Sequence, residues 1–160
     1  MTRTIYDAVG GMPALVSLAH AWHERVLADP VVSHAFSHGY HPDHTERLAA
    51  YWAEALGGPP AFTTSVASES EVVRMHSGNG PHQEMDARAV ECFERAVEDA
   101  GLSGDADVRD ALGAYFTWAT GYMGTYHGSA DQVPDGLTVP RWSWDGLVDG
   151  TDSRPSQHTE

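Results

Sequence analysis

Gly57-Gly58-Pro59-Pro60 cuts the chain near its middle. Two residues with no side chain, followed by two with no backbone donor, end any helix that reaches them. Before this stop, Leu48, Tyr51, Trp52 and Ala55 recur at spacings of three and four, the period of one buried helical face, and predict a helix over residues 43–56. The other patterned segments share this period and this kind of stop. A short helix is expected at 5–9, closed by Gly10-Gly11. A second opens near Pro13, which suits a first helical turn, carries Leu15, Leu18, Ala19, Trp22 and Val26 inward, and closes at Asp29-Pro30. Residues 70–76 read as a short helix before the breaker Ser77-Gly78-Asn79-Gly80-Pro81. Long helices are expected at 83–100, with Cys92 and Phe93 inward, and at 106–126, with Val108, Leu112, Tyr115, Phe116 and Tyr122 inward. Residues 31–36 suggest a helical turn, 38–42 a loop, and 61–69 are weakly patterned. No segment reads as a strand, so the fold class is all-α.

The 160 residues suit one core. No apolar run approaches the roughly 20 residues that cross a bilayer, and the first residues lack the apolar stretch of a secretory signal. The expectation is a soluble cytoplasmic protein. A net charge of −14 repels phosphate backbones and anionic lipid surfaces, so neither nucleic acid nor membrane is an expected partner. One cysteine, Cys92, excludes an internal disulfide and reads as a buried small apolar residue. The main domain is placed at 1–127. The stretch 128–160 is rich in Gly, Pro, Asp and Ser, yet it holds Val139, Trp142, Trp144 and Leu147. Residues 137–148 are expected to dock on the domain, and about the last ten to be mobile.

Histidine carries the chemical signal. Four of the ten fall between Val32 and Leu48: His34, His38, His41 and His44. Only His44 shares the helical register of Leu48. His23 lies on the apolar stripe of the second helix, and His76 precedes a breaker. A single histidine on such a face is ordinarily a satisfied core residue, but three converging on one core suggest more. They would either ligate a metal directly or line both sides of a flat apolar cofactor. A haem, for example, needs one axial imidazole and apolar walls.

The sequence resembles the truncated haemoglobins, most closely their second group. The carrying residues are Ile5-Tyr6-Asp7-Ala8-Val9-Gly10-Gly11, Asp29, Glu46-Arg47-Leu48 before Tyr51-Trp52, Leu56-Gly57-Gly58-Pro59, and Arg74-Met75-His76, spread over about residues 4–126. The resemblance implies a two-over-two helical sandwich around haem b, with a C-terminal extension added here. It places the proximal iron ligand on His76 and the distal face on His23, Phe36, His44, Leu48 and Ala89. Phe62 and Met75 would contact the porphyrin, and Arg74, with His82, would reach toward its propionates. The second group usually has tyrosine where His23 stands, tryptophan where Ala89 stands, and a small residue where His44 stands. The pattern after its axial histidine, Ala-Pro-Phe, is replaced by Ser77-Gly78-Asn79-Gly80.

The resemblance implies binding of O2 and other diatomic ligands (NO, CO). Peroxide or nitric oxide chemistry would be compatible with two distal histidines, which can move protons, and would need an electron donor that the sequence does not identify. Either His44 or His23 could instead ligate iron itself. Two other readings stand beside this one. One is a non-haem metal protein built on the histidine cluster, although no Glu-x-x-His motif of a di-iron bundle is present. The other is a globin-shaped interaction protein without haem. Oligomeric state is not readable.

Overall fold

The computed structural model describes residues 3–33, 43–78 and 83–148. Seven helices carry it: α1 (Ile5–Val9), α2 (Gly11–Ala28), α3 (His44–Ala55), α4 (Ala61–Ser65), α5 (Glu69–Met75), α6 (Gln83–Asp99) and α7 (Ala106–Met123). A 3₁₀ turn (Ala130–Gln132) and a two-stranded antiparallel hairpin, β1 (Trp142–Ser143) with β2 (Gly146–Leu147), complete the described chain. The all-α expectation holds apart from this hairpin, which the sequence reading missed, and α4 fills part of the weakly patterned stretch. α7 ends at Met123, three residues short of the expected end. The expectations for 34–42 and for the last ten residues lie outside the described residues.

α2 packs against both α3 and α6, and α6 against α7. The core between them is apolar and aromatic: Leu15, Leu18, Trp52, Phe93, Leu112 and Phe116 are buried. Phe93 and Phe116 stack at 4.1 Å, and Trp52 meets both edge-on. Such ring geometry adds to the apolar burial itself. Cys92 is buried as expected.

Two sequence motifs meet in space. The Tyr6 amide donates to the Leu56 carbonyl at 3.0 Å, joining α1 to the end of α3. Gly57 has φ of 97°, and a Cβ there would sit 2.9 Å from the Thr4 side chain. A Cβ on Gly58 would lie 2.6 Å from the Tyr6 ring and 2.8 Å from the Ala53 carbonyl oxygen. The two glycines are therefore required by the approach of α1, as well as by the helix stop.

The chain after α7 returns to α5, mainly through residues 133–137. Ser70 Oγ donates to the Pro134 carbonyl and accepts from the Leu137 amide. Arg74 donates to the Val133 carbonyl at 3.2 Å and pairs with Asp135. The Gly78 amide donates to the Tyr126 carbonyl. Further along, the Trp144 indole donates to the Arg3 carbonyl at 2.6 Å.

We expect Gly58→Ala to lower stability by about 1–3 kcal/mol, the range for overpacking, read as a reduced urea midpoint. An unchanged midpoint would mean that Tyr6 can withdraw and that the contact between α1 and α3 is not close-fitting.

Candidate functional site

α2 presents His23 inward because it follows Ala19 by four positions and precedes Val26 by three, both fully buried. Its ring is 3% exposed. α3 begins at His44, one turn before Leu48. Where the two helices cross, His44 Nδ1 and His23 Nε2 share a hydrogen bond, with ring centroids 4.4 Å apart. His23 Nδ1 lies 3.0 Å from Thr45 Oγ1. The result is a chain of Thr45, His23 and His44.

Burial, and next to it the neighbouring His44 and then His20, pushes the His23 imidazole down to about pH 4. His23 is therefore neutral at pH 7 and forms its bonds as a tautomer, one nitrogen donating and the other accepting. Two arrangements are consistent with the bonds. If His23 donates to Thr45, its Nε2 accepts from His44 Nδ1–H, and the outer nitrogen of His44 is a lone-pair donor. If the Thr45 hydroxyl donates to His23, then His23 Nε2–H donates to His44, and the outer nitrogen of His44 carries the proton.

The other half of the predicted site is carried by α5. Ser68 caps this helix: its hydroxyl accepts from the Glu71 amide, and the Glu71 carboxylate accepts from the Ser68 amide, a full capping box. His76 stands at its C-cap. The His76 Nδ1 lies 2.8 Å from the Val72 carbonyl, to which it can only donate, leaving Nε2 as the basic nitrogen. The ring is exposed, as is the neighbouring Met75 at 70%. A fixed tautomer with a basic outer nitrogen, beside an apolar side chain at the surface, fits an axial imidazole and the porphyrin edge it would support.

The remaining predicted residues are distributed around these two groups. Leu48 is half-buried on α3. Phe62 on α4 is buried and meets Tyr51 edge-on at 5.3 Å. Ala89 on α6 is half-buried, and its carbonyl accepts from the Trp22 indole at 3.2 Å. Arg74 is engaged by Val133 and Asp135 of the extension. Phe36 and His82 lie outside the described residues, as do His34, His38 and His41 of the histidine-rich stretch. Among the described residues, no three His, Cys, Asp or Glu side chains gather as a metal-ligand set. A groove of about 580 Å³ between α6 and α7, bordered by Glu94, Arg109 and Trp118, contains none of the predicted cofactor residues.

The sequence reading missed Thr45, which orients His23, and the buried carboxylates Glu54 and Glu69. Glu54 accepts from the Thr63 amide and hydroxyl, holding α4 to α3. Only the 3.6-residue register of Glu54 with Tyr51 and Ala55 hinted at its burial.

A model of bacterial-like globins matches residues 4–116. Comparison with curated protein sequences gives no significant match. Among solved structures, the chain is similar to a group II truncated haemoglobin from Bacillus anthracis (19% identity, 79% of this chain and 95% of that one, TM-score 0.66). It is also similar to a thermostable haemoglobin from the actinobacterium Thermobifida fusca (27%, 76% and 96%, TM-score 0.63). A truncated oxygen-avid haemoglobin from Bacillus subtilis aligns over 77% of this chain and 100% of that one, at 21% identity and TM-score 0.64.

In the haem-free protein, the His23 ring should titrate near pH 4 by NMR. Between pH 6.5 and 4 the unfolded chain then binds a proton that the folded chain does not, so acidification through this window favours unfolding. His23→Phe should remove that part of the acid sensitivity. A midpoint near 6.5 would mean that the His23 ring is open to water.

Proposed function

Because the chain belongs to the bacterial-like globin family, we propose that it binds haem b through His76 and holds a diatomic gas, O2 foremost and also NO or CO, on the side of His23 and His44. The family makes haem, with its iron, the expected cofactor. No described helix is long and apolar enough to cross a membrane, and the proposed place of action is the cytoplasm. The observation that carries the reading is the His76 ring, whose Nδ1 bond to the Val72 carbonyl directs a basic Nε2 away from the helix that holds it.

Bound haem supplies an iron centre that takes the gas as a ligand. The chain's own residues decide how firmly that ligand is held and what happens to it. The Val72 carbonyl makes the His76 imidazole a stronger donor. On the opposite side, Thr45 and His23 set the tautomer of His44. With its outer nitrogen protonated, His44 donates to a polarised ligand, a bond worth about 1.5–3 kcal/mol. With that nitrogen bare, His44 competes with the ligand for the same place. The rotation of one hydroxyl, Thr45 Oγ1, thus accompanies the choice between an open and a self-closed site. Ala89 provides space where a tryptophan is usual in the resembling group. The same histidine chain can pass a proton inward, which supports peroxide or nitric oxide turnover as an enzymatic use, given an electron donor.

The direct test is the absorption spectrum with added hemin: oxidised, reduced, and exposed to CO. We expect a sharp Soret band that shifts with CO and is lost in His76→Ala. The absence of a specific band would leave a globin-shaped chain without haem. His44→Leu should speed O2 release by roughly 10- to 150-fold, the equivalent of the lost hydrogen bond. Unchanged release would transfer the donor role to His23.

A further inference from the structure

Glu69 opens α5 and is 0% exposed. Its Oε2 accepts two phenols, Tyr51 at 3.0 Å from α3 and Tyr122 at 2.8 Å from α7. Its Oε1 meets no donor among the described residues. A buried carboxyl oxygen without a partner is costly and calls for a reason. The two phenols account for Oε2, since an apolar side chain here would leave them without this acceptor, but they do not account for Oε1. A proton acceptor is what the position specifically provides. Burial raises the Glu69 carboxyl to about pH 7, against the opposing pull of the two phenols, so taking and releasing a proton are both accessible near neutrality.

Tyr122 is also joined to other oxidisable rings. It stacks on Trp118 at 5.0 Å and 10°. Trp118 lies 5.4 Å from Trp142, on the docked extension. All three rings are half-buried, so this run leads from the protein surface to Glu69. Tyr51 lies deeper, is buried, and meets Phe62. Glu69 stands at the start of α5 and His76 at its C-cap, about 10 Å apart along the axis.

We propose that Tyr122 and Glu69 form a redox-active tyrosine site that relays single electrons from a small phenolic or ascorbate-type reductant, arriving at Trp118 and Trp142, toward the haem side of α5. The proposal rests on the haem reading for its physiological oxidant, which we assign as hydrogen peroxide. Peroxide takes up two electrons and two protons to give two waters. Two reductant molecules each supply one electron and release one proton. In each relay step the Tyr122 O–H bond breaks. The electron leaves toward the cofactor, and the proton crosses to Glu69 Oε2, giving a neutral phenoxyl radical and a neutral carboxylic acid. An electron from the reductant, passed through Trp118, together with the proton returned by Glu69, restores both groups. The protons for water come from solvent. Tyr51 holds the carboxyl in place through its own bond to Oε2.

The test is freeze-quench electron paramagnetic resonance of the full chain in two arms. One arm treats hemin-loaded protein with hydrogen peroxide. The other treats haem-free protein with a photogenerated oxidant, ruthenium tris-bipyridine with persulfate. We expect a tyrosyl signal in both arms, lost in Tyr122→Phe. Glu69→Gln, which keeps an acceptor oxygen but cannot take the proton, should reduce it, as should Trp118→Phe. No tyrosyl signal in the haem-free arm, an unchanged signal in Tyr122→Phe, or a signal lost only in Tyr51→Phe would each overturn the site. Thermal melts of the variants exclude misfolding as the cause of a lost signal. A missing Soret band on hemin loading would defeat the haem reading alone, and the photo-oxidised arm would still decide the tyrosine.

Discussion

Gly58 lies so close to the Tyr6 ring and the Ala53 carbonyl that no side chain fits between them. With the bond from the Tyr6 amide to the Leu56 carbonyl, this fixes the end of α3 on α1. α1 in turn runs directly into α2 through Gly10, whose φ of 111° makes the corner. The three helices are therefore linked as a frame, and the crossing of α2 with α3 follows from it. His44 meets His23 at that crossing. A short-range steric fact at one end of α3 thus reaches the chemistry at its other end.

The two sides of the proposed site are supported in different ways. The His23–His44 side rests on long helices and the aromatic core. The His76 side rests on α5, a helix of seven residues, too short to be stable from its own hydrogen bonds. It is held from outside: by the capping box of Ser68 and Glu71 at its start, and by the extension along Ser70, Arg74 and Gly78. The C-terminal stretch thus supports the helix that ends at His76. Asp135 and the Val133 carbonyl engage Arg74, which has consequences for any role of that guanidinium toward a cofactor carboxylate.

Burial acts on two interior groups in opposite directions. Burial disfavours the charged form, so it pushes the His23 imidazole down and the Glu69 carboxyl up. Hydrogen bonding then differentiates them. His23 sits in a chain whose direction can reverse with a hydroxyl rotor. Glu69 accepts two phenols on one oxygen and keeps the other without a donor among the described residues. The chain as a whole carries a formal net charge of −14, while few polar side chains are buried among the described residues.

Periodicity and punctuation determined the helices, their stops and their inner faces, because both depend on backbone geometry within four or five residues. The burial of His23 and of Cys92 was legible for that reason, whereas His76, read as facing inward, is exposed at the C-cap of α5. The tryptophans of the extension were read as a docking signal because such surface is unfavourable in water. Tertiary structure alone decided that His44 bonds to His23, that Thr45 orients the pair, and that the extension docks on α5. It also decided the fate of Glu69. By sequence this residue falls in the weakly patterned stretch 61–69, while its partners are Tyr51 and Tyr122, 18 and 53 positions away. A helical register states which way a side chain points along its own element. Only the packing of the elements determines what waits there, since the distance between two facing groups is set by helix crossings that no local pattern records.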